Sequence, residues 1–109
     1  MNFDVKTTRI FERKLKLLVK KYPSIGNDLE ELEKQLIENP IVGTALGKNC
    51  YKIRMAISDK NKGKSGGARV ITCVRILNNI VYLIDIYDKS DQENISDTEL
   101  KMIINSLED

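Results

Sequence analysis

Tyr51-Lys52-Ile53-Arg54-Met55-Ala56-Ile57-Ser58 alternates without a break. Tyr51, Ile53, Met55 and Ile57 fall on one side; Lys52, Arg54, Ala56 and Ser58 fall on the other. A period of two marks a strand with one buried face, because successive strand side chains point to opposite sides. The same alternation sets Lys52 and Arg54 side by side on the open face, about 7 Å apart at strand spacing. Downstream, Ala68 to Leu77 and Ile80 to Tyr87 are rich in Val, Ile and Tyr. Both runs are apolar on both faces, as central strands are. Asn78-Asn79 between them suits a tight hairpin turn, since Asn tolerates positive φ. Asn2 to Lys6 predicts a further short strand with Phe3 and Val5 pointing inward.

Upstream the period changes to that of a helix. Ile10, Phe11, Leu15, Leu18, Val19 and Tyr22 follow the 3–4 residue spacing of one face, predicting a helix over 9–22. Lys14, Lys16, Lys20 and Lys21 fall mainly off that face. Pro23 stops this helix, because the residue before proline is biased away from helix. Ser24 or Asn27 then caps a second one, with Asn27 and Glu30 spaced as a capping box. Leu29, Leu32, Leu36 and Ile37 form its apolar stripe and Pro40 ends it. A last helix starts at Ser96 with Glu99 three residues on, and carries Leu100, Ile103, Ile104 and Leu107 inward. The predicted order is β-α-α-β-β-β-α. That is an α+β fold, two N-terminal helices packed on a small antiparallel sheet, in a single domain spanning 1–109. No repeat or linker interrupts it.

Composition narrows the chemistry. With 41% hydrophobic and 31% charged residues the chain is that of a soluble globular protein, not a disordered tail. No apolar run approaches the ~20 residues of a membrane span, so no membrane partner is expected. MNFDVKTTRIFERK lacks the apolar core of a signal peptide, which points to the cytoplasm. Cys50 and Cys73 are then expected to be reduced, Cys73 as a small core residue. The chain has no histidine. That excludes Ser-His-Asp and Cys-His nucleophiles and a histidine-paired nuclease. Two cysteines are too few for a zinc site, and no metal or other cofactor is expected. Any chemistry falls to Lys, Arg, Tyr, Asp or Glu.

The net charge of +2 is built from blocks of opposite sign: +5 over 1–22, −4 over 23–40, +7 over 41–75 and −6 over 76–109. The +7 block contains the Gly-rich basic run Asp59-Lys60-Asn61-Lys62-Gly63-Lys64-Ser65-Gly66-Gly67. Backbone amides and ammonium groups in such a loop suit phosphate. The Walker A spacing is absent and no helix follows, which excludes a nucleoside-triphosphate loop. Lys52 and Arg54 lie just before the loop, Arg69 just after it, and Lys89 beside Tyr87 ends the last strand. Cations converging near one end of a sheet repel one another, and a polyanion relieves that repulsion.

These segments, in this order, resemble toxins of the RelE/ParE superfamily, in its RelE/HigB-like branch. The resemblance rests on Phe11-Glu12-Arg13-Lys14-Leu15-Lys16, Lys20-Lys21-Tyr22-Pro23-Ser24, Asn39-Pro40 with Gly43 and Leu46-Gly47, Tyr51-Lys52-Ile53-Arg54, Gly63-Lys64-Ser65-Gly66-Gly67-Ala68-Arg69-Val70-Ile71 and Ile86-Tyr87-Asp88-Lys89. It implies two N-terminal helices on a small antiparallel sheet. It also implies an endoribonuclease that cuts mRNA in the ribosomal A site without metal, with a cognate antitoxin that inhibits it. In that reaction the 2′-hydroxyl attacks the adjacent phosphate while cations stabilise the developing charge. On this basis Lys52 is the candidate base, its pKa expected to be lowered by neighbouring cations. Arg54 and Arg69 hold the scissile phosphate, and Lys89 is an acid or phosphate ligand. Lys60, Lys62 and Lys64 meet flanking RNA or rRNA phosphates. The RelE type also carries an Arg just past the last strand and a Tyr in the C-terminal segment. Here those places hold Ser90 and Ser96-Asp97-Thr98; either Tyr87 substitutes or the acid is a different group and Tyr87 is a strand-end aromatic packing on the sheet. Two other readings share parts of the pattern: a ParE-like gyrase inhibitor, which lacks the cationic set, and a non-catalytic nucleic-acid-binding domain. The acidic end, with Asp97, Glu99, Glu108 and Asp109, is a candidate for displacement by a ligand.

Overall fold

The computed structural model describes residues 2–107; Glu108 and Asp109 of the acidic end lie outside them. The chain runs β1 (Asp4–Thr7), α1 (Arg9–Lys21), α2 (Ile25–Glu38), β2 (Thr44–Gly47), β3 (Cys50–Met55), β4 (Ala68–Arg75), β5 (Ile80–Asp88) and α3 (Asp97–Ser106). The fold is α+β, as expected, with the strands in the order β1-β5-β4-β3-β2. Two details of the strand pairing correct the sequence reading. The sheet is mixed, because β1 runs parallel to β5 while every other pair is antiparallel. There is also one strand more than expected: β2 folds back on β3 through Lys48 and Asn49, both at positive φ. Gly43, at φ +94, precedes β2, and a Cβ there would stand 2.3 Å from the Lys52 carbonyl oxygen, so only glycine fits this approach.

The alternation at β3 divides the core. Ile53 and Met55 face Phe11, Ile25, Leu29, Leu32 and Leu36 of the helical hairpin, together with Val70, Val81, Leu83 and Ile86. On the opposite face Cys50, Ile71, Cys73, Ile84 and Tyr87 meet Leu100, Ile103 and Ile104 of α3. Burying aliphatic side chains of this size stabilises the fold by roughly 1.5–3 kcal/mol each. Cys50 and Cys73 are register partners and both buried. Their mutual hydrogen bond and burial push the Cys50 thiol well above its ordinary pKa. One sheet face is thus covered by two helices. The other is covered by α3 at one end only.

Local signals account for the helix ends. Thr8 caps α1, its Oγ accepting from the Phe11 amide at 3.3 Å and donating to the Leu83 carbonyl at 3.2 Å. Ser96 caps α3 by accepting from the Glu99 amide at 3.1 Å, as its spacing predicts. The Asn27–Glu30 capping box does not form, because α2 starts earlier, at Ile25, with Ser24 in the cap position. Ser24 works across the structure instead: it accepts from the Asp59 amide at 3.0 Å, while the Asp59 carboxylate accepts from the Ser24 amide at 2.8 Å.

Two buried carboxylates tie the layers. Lys14 of α1 donates to Asp85 of β5 at 2.6 Å and to Glu99 of α3 at 3.4 Å. Burial raises the Asp85 pKa against the pull of Lys14. Burial works against the Lys14 ammonium, but Asp85 and Glu99 outweigh it and hold its pKa up. Asp88, 1% exposed, is the second tie. It accepts from Lys60 Nζ at 2.7 Å, Tyr22 Oη at 2.9 Å and the Ser90 amide at 2.9 Å. Lys60 also donates to Ser90 Oγ at 2.8 Å and lies 5.7 Å from the centre of the Tyr22 ring. This clasp joins the α1–α2 corner, the start of the Gly-rich loop and the end of β5.

Burial alone would raise the Asp88 pKa, but these donors outweigh it and hold it at about 2. A carboxyl depressed on folding adds stability above its unfolded pKa, and that stability is lost as pH falls through the folded value. The shift corresponds to about 2 kcal/mol. Urea unfolding at pH 7 should show Asp88→Asn less stable than wild type by about 3 kcal/mol, since it leaves the Lys60 ammonium buried and unpaired. Between pH 6 and pH 2.5 the variant should lose about 1–2 kcal/mol less than wild type. An equal loss in both proteins would remove Asp88 as the acid-sensitive group.

Candidate functional site

The end of the sheet that α3 leaves open holds a cleft of about 210 Å³ lined by Thr44, Lys52, Arg54, Arg69, Lys89, Glu93 and Asn94. The register explains the meeting. Arg54 on β3 pairs with Arg69 on β4, and Arg69 pairs with Tyr87 on β5, so the three form one row across the sheet. Lys52 stands one row away on the same face. Lys89 follows Asp88 at the end of β5, and its amide donates to the Gly67 carbonyl at 3.1 Å. Four cations that the sequence reading singled out therefore share one concavity.

Opposed arginines have Cβ atoms about 5 Å apart and repel. Arg69 is 3% exposed despite its charge. The loop before β4 supplies the compensation. Arg69 donates to the carbonyls of Lys64 at 3.0 Å, Ala68 at 3.1 Å and Ser65 at 3.3 Å. Gly67 makes this wrap possible, because a Cβ on it would stand 2.2 Å from the Met55 carbonyl oxygen. Arg54 is exposed, since β2 pairs with β3 only as far as Lys52 and leaves the edge open beyond it. No hydrogen bond or ion pair engages its guanidinium among the described residues. Arg69 thus shapes the cleft wall, and Arg54 is the arginine free to meet a ligand.

The remaining site candidates separate. Lys52 Nζ donates to Asn94 Oδ1 at 2.8 Å. Tyr87 is 5% exposed and packs under α3, with its hydroxyl donating to the Glu93 carbonyl at 3.4 Å. Burial raises the Tyr87 pKa, Asp85 adds to the effect and Arg69 opposes it. At neutral pH its phenol is therefore a donor. Lys62 and Lys64 are exposed on the loop outside the cleft. Lys60 is not with them: its ammonium turns inward to Asp88, and only 7% of its side chain is accessible. A free phosphate contact for Lys60 gives way to a structural ion pair. Glu93 and Asn94 were not singled out from sequence. They lie in an irregular segment where no periodicity marks a face, and only its return to the sheet exposes them as a wall of the cleft.

A larger concavity, about 650 Å³, runs along α1 and is lined by Arg9, Glu12, Arg13, Leu15, Lys16, Val19 and Lys20. All seven belong to one helix, so it is a trough between projecting side chains with no second wall. No group of three or more potential metal ligands forms among the described residues. No helix among them is long and apolar enough to cross a membrane.

Comparison with known proteins places the fold. The sequence model of a family described as the RelE toxin of the RelE/RelB toxin–antitoxin system matches residues 6–106. Among solved structures, a double arginine-to-alanine mutant of the E. coli toxin RelE in its free state superposes with a TM-score of 0.64. The two sequences are 17% identical over 98% of this chain and 99% of that one, a likeness of fold. A comparison with curated proteins returns no match.

The cleft and the clasp make opposite predictions for two neighbouring cations. Arg54→Ala should weaken binding of a non-cleavable single-stranded RNA and flatten its salt dependence by about 0.7 in log K per log salt, the share of one lost phosphate contact. Lys60→Ala should leave that slope unchanged and lower the melting temperature. Fluorescence anisotropy across a salt series, with thermal unfolding alongside, checks both.

Proposed function

We propose that this chain, which belongs to the RelE toxin family of toxin–antitoxin systems, is an endoribonuclease that cuts mRNA in the ribosomal A site, in the cytoplasm and without a metal ion. Membership of the family pairs the toxin with an antitoxin; in this reading the antitoxin inhibits the cutting. The observation that carries the reading is the convergence of Lys52, Arg54, Arg69 and Lys89 on one open cleft.

The reaction moves a proton off the 2′-hydroxyl, joins that oxygen to the adjacent phosphorus and expels the 5′-oxygen. Negative charge grows on the non-bridging oxygens of the phosphorane. Cations already in place stabilise that charge with little reorganisation. Arg54 offers a planar fork that matches two phosphate oxygens. Lys52 and Lys89 bring ammonium groups to the same cleft. Arg69 holds the loop carrying Lys64 and keeps positive potential under the site. Lys62 and Lys64, exposed on that loop, face flanking phosphates of mRNA or rRNA. Tyr87 holds the segment that closes the cleft.

The test is translation of a defined mRNA by purified ribosomes, with cut sites mapped by primer extension. Wild type should cut at codon-spaced positions. Arg54→Ala should cut roughly 10²–10³-fold more slowly, the usual cost of one stabilising donor. Arg54 suits this test better than Arg69, whose loss would also release the loop carbonyls it binds. No cutting by folded wild type would overturn the nuclease reading, and a gyrase supercoiling assay would then examine the ParE-like alternative.

A further inference from the structure

We propose that Glu93 is the general base of the cleft, taking the proton from the attacking 2′-hydroxyl. The inference rests on the nuclease reading and assigns to Glu93 the role that the sequence suggested for Lys52. The other charged side chains that line the cleft are Lys52, Arg54, Arg69 and Lys89. Such groups hold phosphate and donate protons. A guanidinium does not release its proton at neutral pH, and the Lys52 ammonium is engaged as a donor to Asn94 Oδ1. Glu93 is the one carboxylate among the lining residues. Carboxylates are ordinarily unprotonated at neutral pH and need no rearrangement of charge to accept a proton.

The Glu93 carboxylate is also uncommitted. Asp85, Asp88 and Glu99 are each engaged by a lysine; among the described residues no ion pair within 4 Å engages Glu93. Its main chain is held at the carbonyl and through the next residue, Asn94. The Tyr87 hydroxyl donates to the Glu93 carbonyl at 3.4 Å. Lys52 donates to the side chain of the next residue, Asn94, at 2.8 Å. Gln92 Nε2 closes the turn on the Asn94 carbonyl at 3.1 Å. The groups of the site therefore fix the backbone that carries the base. Tyr87 and Asn94 become positioning residues.

The step balances without an added reactant. The 2′-hydroxyl proton passes to a Glu93 carboxylate oxygen as the 2′-oxygen bonds to phosphorus. The bond from phosphorus to the 5′-oxygen breaks. The leaving oxygen takes a proton from the Lys89 ammonium. The products are a 2′,3′-cyclic phosphate and a 5′-hydroxyl end.

The test compares wild type, Glu93→Gln and Glu93→Asp in the ribosome assay under single-turnover conditions. Binding is measured in parallel to an RNA carrying a 2′-deoxy nucleotide at the cut site. Glu93→Gln should cut 10²–10⁴-fold more slowly, the usual share of a general base. It should bind the deoxy RNA at least as tightly as wild type, because a negative charge has left a phosphate site. Glu93→Asp should recover part of the rate. Thermal unfolding checks that both variants fold. Glu93→Gln cutting as fast as wild type, or faster, would overturn the assignment and make Glu93 a bystander or a plug. Wild type that cuts nothing would instead overturn the nuclease reading and this inference with it.

Discussion

Arg69 is a nearly fully buried cation placed directly opposite another arginine, and the organisation of the site follows from how that is tolerated. A buried charge must be hydrogen-bonded to persist. Here the partners are three backbone carbonyls of the preceding loop, which point their negative ends at the guanidinium. The loop is ordered by the cation it encloses. Its other end is pinned by Lys60 to Asp88, and its glycine at 67 lets it pass close to Met55. The Gly-rich basic run thus reads in the structure as a wrap around Arg69, anchored at both ends, with Lys62 and Lys64 left outside it. A free phosphate cradle of backbone amides is not what it forms, since the groups it directs at Arg69 are acceptors.

Much of this was legible in the sequence because it depends on period and spacing. The alternation from Tyr51 to Ser58 set Lys52 and Arg54 on one face, and the register extends that face to Arg69. The apolar stripes of the three helices, except Val19 of α1, which is exposed, and the Ser96 cap followed local rules. What was illegible depends on partners far away in the chain. Strand β2 is four residues long, and Thr44-Ala45-Leu46-Gly47 has no β-branched pattern to announce it; pairing with β3 creates it. The direction of β1 is decided by its neighbour β5, which alternation does not encode. Lys60 read as one more loop lysine until the fold brought Asp88 and Tyr22 to it. Glu93 lay in a stretch with no face to read.

Fold and chemistry also carry different weights. A likeness at 17% identity extends to the path of the chain and not to any side chain. The family match covers nearly the whole chain and places it among the RelE toxins. The site has to be argued from its own residues. In the proposed nuclease reading of a chain without histidine, cations alone would leave proton transfer without an acceptor. A carboxylate on the rim of a cationic cleft answers that requirement, and its exposure keeps it out of the buried pairs that hold the layers together.

The end of β5 shows how narrow the division between structure and chemistry is. Tyr87, Asp88 and Lys89 are consecutive; strand alternation sends Tyr87 and Asp88 to opposite faces, and Lys89 follows in the turn after β5. Tyr87 goes under α3 and reaches the Glu93 carbonyl. Asp88 goes to the helical hairpin and binds Tyr22 and Lys60. Lys89 reaches the cleft. A slip of one residue in this strand would carry Asp88 to the face of the cationic cleft and Lys89 against Lys60, reversing both electrostatic arrangements at once. The clasp at Asp88 therefore adds an electrostatic preference for the register that makes the cleft cationic. Protonation of Asp88 would remove its ion pair with Lys60 at the strand end from which Lys89 and the Glu93 segment both depart, so the fold and the site share one electrostatic anchor.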